Sequence, residues 1–546
     1  MTPSALIANS LWLGSSLPGF LRFQRALHHP ARVQERLLSH YISRNAETAF
    51  GKAHGFGKIQ NHRDYSKQVP LVDYDVLQPW ITGIAAGESS VLTMDPVTHL
   101  IPTSGSTGGR KLIPFTAGLQ NEINAAIAPW ICDLNVRYPS IGLGNSYWSV
   151  SPAANIREKE SSVVPIGFDE DSSYLGGTRK RIVNALMAVP PEIRLIGDIE
   201  RFRYATLLCL IRQPDLRLIS IWHPSFLTLL LDALTANWND LLMDVRRGGC
   251  KYGERFPAAL VAGFRPWPSR AAQLEQADPL NPKSIWPHLQ LISCWGDGHA
   301  SGALNDLKRR FPGVGVQPKG LLATEAFITL PFRGFYPVAV CSHFFEFLDD
   351  DGGVHLVHEL AEGAEYEVAV TTGGGLYRYR MGDRIKVTGF LSSTPSLKFL
   401  GRNGNYSDRC GEKLSEAFVG RAIQEATNSS LELPCFAMLA PEVVSDGVRY
   451  TLFIEGQIED GLEKRLDAAL KQNPHYLYCR NLGQLQEPGI LEIAGGGFET
   501  YAAREMLRGR RLGDIKPSPL SPHVDWAEHF QTKSKLGIRL SNAVTR

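Results

Sequence analysis

The sequence has little cysteine, no surplus of one charge and no long apolar run. Eight cysteines are scattered through 546 residues, and no two lie within four positions of each other. That spacing suits neither a zinc site nor a disulfide scaffold, so it reads as buried, reduced thiols in a cytoplasmic protein. Lys and Arg number 57 against 55 Asp and Glu, a net charge of +2. This balance excludes an extended nucleic-acid surface. The most apolar stretch, ALIANSLWLGSSLPGFLRF, is broken by Asn9, Ser10, Gly14, Ser15, Ser16 and Pro18. It falls short of the roughly eighteen apolar residues of a membrane span, and no basic residue precedes it as in a targeting segment. It reads instead as a helix packed on the body of the protein.

What is present is ordinary globular composition, 43% hydrophobic and 21% charged, in a chain too long for one core. Two or more domains are expected. Apolar positions Val33, Leu37, Leu38 and Tyr41 follow the spacing of one helix face. From about residue 90 to 330, short β-rich runs alternate with helical ones. LRLISIWH (Leu216 to His223) leads into PSFLTLLLDAL, and LQLISCWGDG (Leu289 to Gly298) leads into ALNDLKRRF and then VGVQPKGLLATE. That alternation marks α/β architecture, in which ligands bind beyond the carboxyl ends of the strands. From about residue 336 the texture is more β, with a hairpin expected at Gly373-Gly374-Gly375. FLGRNGNYSDRCGEKLSE reads as a linker. A smaller α/β segment follows, with helices near 416–426 and in GLEKRLDAALKQ, and strands in GVRYTLFIEG and GILEIAGG.

Several short stretches carry chemistry. The loop TSGSTGGRK, Thr103 to Lys111, holds three glycines, four hydroxyls and a basic pair. Glycines let backbone N–H groups converge on an anion, Ser104, Ser106 and Thr107 add donors, and Lys111 neutralises charge. A Walker A loop needs glycine before its lysine and Ser or Thr after it, where this chain has Arg110 and Leu112. By itself the loop is compatible with a phosphate grip or a surface turn. In LLATE, Thr324 by itself reads first as a helix N-cap, although Thr324 and Glu325 at a strand end would also suit a nucleotide and Mg2+. In YRYRMGD, Asp383 at a strand end could accept from two ribose hydroxyls, and Arg378 and Arg380 share a face that could be a solvated edge. Arg402 and Lys413 lie in the linker, and Lys516 in DIKPSP. Each is weak alone. The order is informative: a Ser/Thr/Gly/Lys loop, Thr-Glu, Gly-Asp, a Gly-Arg hinge and a late lysine form the layout of adenylate-forming enzymes.

With AETAFGKAHGF, VPLVDYDVLQPWI, HFFEFL, EYEVAVTTGGGLYRYRMGD, VTGF and GFETYAAREMLRGRRLGDIKPSPL, the chain resembles the auxin-responsive Gretchen Hagen family. These are the acyl acid–amido synthetases of plants and their bacterial relatives, within the firefly luciferase-like adenylating superfamily. TTGGGLYRYRMGD is the most specific match. The resemblance implies an adenylate-forming α/β fold: a large N-terminal domain with a β-rich part (1–401), a hinge at 402–413 and a small mobile C-terminal α/β domain (402–546). It implies ATP and Mg2+ as cofactors, a carboxylic acid and an amine, usually of an amino acid, as substrates, and neither nucleic acid nor membrane as a partner. By motif, Ser104, Ser106, Thr107 and Lys111 hold the β- and γ-phosphates, Thr324 meets the α-phosphate, and Glu325 binds Mg2+. Asp383 binds the ribose, Arg402 faces the nucleotide, and Lys516 acts during adenylation. Leu321 stands where many relatives have tyrosine. Trp148 to Ile156, Ile221 to Phe226 and Cys294 to Ala300 are expected to line the acyl pocket, their indoles suiting an aromatic or apolar acid. Thioester formation on coenzyme A, or nucleotide binding without catalysis, are the alternatives. The joint presence of Lys111, Glu325, Asp383, Arg402 and Lys516 argues against the second.

Overall fold

A computed structural model describes all residues except 1–2, 104–110, 150–161, 169–175, 223, 298–300, 403–405, 408, 410–411, 413, 428–433, 445–446, 482–484, 511 and 531–546. The chain divides into two compact units, the first drawn from residues before Leu400 and the second mainly from residues after Phe399.

Three β-structures organise the first unit. A hairpin pairs β1 (His99–Thr103) with β2 (Lys111–Phe115), Thr103 opposite Lys111. A parallel sheet runs in the order β3 (Asn145–Trp148), β4 (Leu216–Ser220), β5 (Leu291–Cys294), β6 (Gly315–Pro318). Helices such as Pro224–Ala236 and Ser301–Arg310 separate its strands in the chain, as parallel crossovers require. The third is a five-stranded antiparallel sheet of β7 (Phe344–Leu348), β8 (Val354–Leu356), β9 (Glu365–Thr371), β10 (Tyr379–Leu391) and β11 (Thr394–Arg402), in the order β11-β10-β9-β7-β8. The β9–β10 connection is the hairpin expected at the triple glycine.

The apolar N-terminal stretch forms the helix Pro3–Ala26, with Ala5, Ala8, Trp12 and Phe23 buried. On its outer side Leu6, Ile7, Leu11, Leu17 and Leu21 are exposed. Among the described residues no helix is long and apolar enough to cross a membrane.

In the second unit, β12 (Tyr406–Ser407) pairs with β13 (Leu414–Ser415), and β14 (Phe436–Val444), β15 (Gly447–Glu455) and β16 (Gly489–Glu492) form a mixed sheet. Side chains of a strand alternate between faces, and here that alternation builds two cores. Leu439, Tyr450, Leu452 and Ile454 join Val419, Ala422, Ile423 and Leu466 from two helices on one face. Met438, Ala440 and Phe453 join Tyr501, Ile515, Trp526 and Phe530 on the other. The helices Glu416–Thr427 and Leu462–Leu470, and strands β15 and β16, lie where the sequence placed them. β14 was not anticipated.

Two readings need correction. None of the seven described cysteines forms a disulfide, but they are not uniformly buried: Cys250 and Cys341 are half-buried and Cys435 is exposed. Arg378 and Arg380 do not share a solvated edge. Arg378 precedes β10 in a left-handed conformation (φ 46°) and is 4% exposed.

Candidate active site

The triple-glycine turn is held in place by packing that begins with ordinary local chemistry. The helix Ala117–Arg137 starts at Thr116, whose hydroxyl oxygen accepts from the Leu119 N–H and whose O–H donates to the Gly373 carbonyl (2.8 Å). In its second turn, the helix turns a carboxylate inward. Glu122 Oε1 accepts from Tyr41 Oη (2.6 Å) and from the Gly373 N–H (2.8 Å), and Oε2 accepts from His343 Nδ1 (2.7 Å). The Phe327 N–H donates to His343 Nε2 (3.0 Å), so that nitrogen is bare and the proton sits on Nδ1, aimed at Glu122. Burial, reinforced by Glu122, pushes the Tyr41 phenol well above its usual range. One buried carboxylate thus ties the triple-glycine turn to the strand entering β7 and to the residues just after Thr324-Glu325.

A second buried carboxylate does the same below the hairpin. Arg378 Nε donates to both oxygens of Glu346 (3.0 Å each), and Nη1 donates to the carbonyls of Ser66 and Val69. His62 Nε2 lies 2.8 Å from Glu346 Oε1. With Glu346 1% and Arg378 5% exposed at the side chain, loss of either partner would strand a charge at a cost of about 3–5 kcal/mol. This framework holds the sharp backbone ahead of Asp383.

The predicted site residues are distributed as follows. Ser104, Ser106 and Thr107 lie outside the described residues, as does Lys413. Lys111 opens β2, and its Nζ sits 5.7 Å from the centroid of the Tyr74 ring. Tyr74 also accepts from the Leu112 N–H (2.8 Å), fixing the exit of the glycine loop. Thr324 does not cap a helix. Leu322 bridges Phe327 and the Ala323 N–H donates to the Ala326 carbonyl (2.9 Å), so Thr324 and Glu325 form the tip of a tight turn. Glu325 is 2% exposed and its Oε1 makes no hydrogen bond among the described residues. Asp383 is not at a strand end. It lies within β10, 5% exposed, beside Gly382 (φ 74°), where the β9–β10 register shifts. Arg402 ends β11. Lys516 is half-buried after the short turn Leu512–Asp514, between the buried Ile515 and Ser518.

The carboxyl edge of the parallel sheet gathers the expected acyl-pocket residues. Trp148 ends β3, Ile221-Trp222 follow β4, and Cys294-Trp295 end and follow β5. The remainder of those segments at 150–156, 223 and 298–300 lies outside the described residues. Sequence reasoning missed the residue at their centre. Lys319, one position beyond β6, is 8% exposed, and its Nζ donates to Ser220 Oγ (2.5 Å). The rings of Trp130, Trp148 and Trp222 surround it at 5.5, 5.5 and 5.7 Å. Such contacts are each worth about 0.5–2 kcal/mol, less than the several kcal/mol lost on burying an ammonium. Burial accordingly pulls Lys319 down from 10.5 to about 8. Its detectable signal was a lysine directly after a strand in an otherwise apolar run.

The GH3 family N-terminal domain matches residues 20–316, its central domain 336–402 and its C-terminal domain 417–524. The chain belongs to the GH3 family. Among curated GH3 relatives, the indole-3-acetic acid-amido synthetase GH3.4 of Arabidopsis thaliana is 25% identical over 73% of this chain and 71% of its own length. The probable indole-3-acetic acid-amido synthetase GH3.12 of Oryza sativa subsp. japonica is 24% identical over 90% of this chain and 92% of its own. The solved GH3.15 acyl acid amido synthetase superposes with a TM-score of 0.80 at 20% identity, covering 94% of this chain and 95% of that one. A 2-hydroxyisobutyryl-CoA ligase in the postadenylation state superposes at 0.51 and 12% identity, covering 89% and 94%. The fold is that of the adenylate-forming ligases.

Proposed function

We propose that this GH3 protein is an ATP-dependent acyl acid–amido synthetase, a ligase that forms a C–N bond through an acyl adenylate. The observation that carries the reading is the match of all three GH3 domains, in order, along most of the chain. In the first step a carboxylate oxygen attacks the α-phosphorus of ATP. The new O–P bond replaces the bond to the β-phosphate, and pyrophosphate leaves. In the second, an amine nitrogen, most simply that of an amino acid, attacks the activated carbonyl, AMP leaves, and the amine proton passes to solvent. A carboxylate is a poor acylating agent at neutral pH, and AMP supplies the leaving group. Positioning and charge neutralisation are the protein's share.

In this reading Ser104, Ser106, Thr107 and Lys111 grip the phosphates that depart, Thr324 meets the α-phosphate, Asp383 the ribose and Arg402 the nucleotide. Lys516 stabilises the charge that develops during adenylation. Residues 402–413 are the proposed hinge between 1–401 and 402–546. The buried, unbonded Oε1 of Glu325 suits a cation. Among the described residues no three potential ligands cluster, and Mg2+ needs only a carboxylate or two with substrate phosphates. Bound there, Mg2+ would neutralise phosphate charge. A cytoplasmic setting accords with seven described thiols that form no disulfide.

Acid-dependent exchange of labelled pyrophosphate into ATP tests the first step. Exchange is expected with at least one member of a panel of aryl and alkyl acids, and folded protein that shows none would sink the proposal. With amino acids and coenzyme A offered together, mass spectrometry should find the amide and no thioester.

A further inference from the structure

A parallel sheet covered on both faces is ordinarily apolar throughout, but the last row of this one is not. Register pairs Trp148 with Ser220, Ser220 with Ser293, and Ser293 with Gln317, so four residues carrying polar atoms stand side by side at the carboxyl edge. Two of them are satisfied within the row's surroundings: Gln317 Oε1 accepts from Trp130 Nε1 (2.9 Å), and Ser220 Oγ accepts from Lys319 Nζ. Two are not. Trp148 Nε1 and Ser293 Oγ are buried with no hydrogen-bond partner among the described residues. Lys319 sits over this row, and its N–H continues the ladder to the Cys294 carbonyl (2.9 Å). No carboxylate among the described residues pairs with it, and the neighbouring Cys294 thiol, pushed up by burial, is neutral. Among the described residues, a buried cation without a counter-charge, an indole N–H without an acceptor and a hydroxyl without a partner therefore converge on one edge.

We propose that Lys319 and Trp148 Nε1 receive a second anionic or hydrogen-bond-accepting group of the acid substrate, separate from the carboxylate that becomes the acyl group. The proposal rests on the reading above, in which this edge borders the acyl pocket. It narrows the substrate class to acids, most simply aromatic ones given the three indole walls, that carry an acceptor at the end remote from the reacting carboxylate. The reacting carboxylate itself is a poor partner for Lys319, because a desolvated ion pair with a lysine would blunt its attack on the α-phosphate.

The test uses the full-length protein in acid-dependent pyrophosphate exchange with phenylacetic acid against 4-carboxyphenylacetic and 4-hydroxyphenylacetic acids. The wild type should favour an acid with the second acceptor by tenfold or more in kcat/KM. K319M should bring that ratio to within threefold of one, and W148F, which keeps the ring and removes the N–H, should lower it as well. If K319M does not fold, the wild-type ratio and W148F still decide. Equal use of all three acids by the wild type, an unchanged ratio in the variants, or a K319M loss identical for every acid would each overturn the assignment while leaving adenylation intact. Absence of exchange with any acid would instead overturn the synthetase reading on which it depends.

Discussion

At the scale of single residues, burial decides what each group can do. Lys319 gives up its proton near pH 8 in the native chain, whereas the ordinary lysine value is 10.5. Between those values the unfolded chain binds more protons than the native one, so this residue's contribution to stability rises with pH. Cys294 beside it is pushed up to about 12 by burial and stays a neutral thiol through the window. Buried phenols and thiols elsewhere act in the opposite direction above about pH 9, so the comparison must be with a variant that shares them. Each tenfold difference in proton affinity between native and unfolded chain is worth about 1.4 kcal/mol. Urea unfolding of wild type and K319M should therefore show wild type gaining about 3 kcal/mol relative to the variant between about pH 7.5 and about pH 10.5. A constant difference across that range would mean that Lys319 is not desolvated. Asp383, 5% exposed at the bulge in β10, lends itself to a simpler measurement. Charge-assisted hydrogen bonds contribute about 1.5–3 kcal/mol, so Asp383→Ala should weaken ATP binding roughly tenfold or more in calorimetry. Unchanged affinity would remove it from the ribose site.

At the scale of elements, the turn between β9 and β10 is built for close approach. A Cβ on Gly373 would lie 2.5 Å from Glu122 Oε1 and 2.9 Å from the Gly118 carbonyl carbon. Gly373→Ala should therefore force the hairpin off the helix Ala117–Arg137, lowering stability by about 1–3 kcal/mol and ATP affinity with it. Gly57→Ala, where the added Cβ meets open space, should change neither; equal melting temperatures for the two variants would refute the packing argument. The elements were largely legible in the sequence where periodicity was strong, as in LRLISIWH and GLEKRLDAALKQ, because alternating and helical spacing report burial directly. The hairpin was legible because glycine marks backbone that must turn or approach closely. What was not legible was tertiary. Thr324 has a good cap's chemistry, but the Leu322–Phe327 bridge places it in a turn instead. Arg378 has a strand residue's spacing, yet Glu346 draws it inward from the other side of the sheet's hairpin. Glu122 was visible only as a carboxylate on a helix face shared with Leu119, Ile123 and Ala126, a face on which a charge needs partners the local sequence cannot name.

At the scale of the whole molecule, the two units have separate cores and separate duties in the proposed reaction. Lys516 belongs to the second unit, anchored between Ile515, part of a core cluster, and Ser518. Lys516→Ala should slow adenylation, read as pyrophosphate exchange, by at least a hundredfold, and slow amide formation from supplied acyl adenylate far less. Equal slowing of both steps would deny it a role confined to the first. The buried carboxylate hub also has a consequence in time. Glu122 meets Gly373 across 251 positions, Gln34 meets the Val340 carbonyl across 306, and the Thr394 hydroxyl reaches the Leu27 carbonyl across 367. Contacts so distant in sequence are slow to close. As the chain leaves the ribosome, its first helices and the carboxylate on the helix Ala117–Arg137 must wait, apolar faces and charge unmatched, until roughly two-thirds of the protein has been synthesised. Until then the nascent chain is a natural client for chaperones.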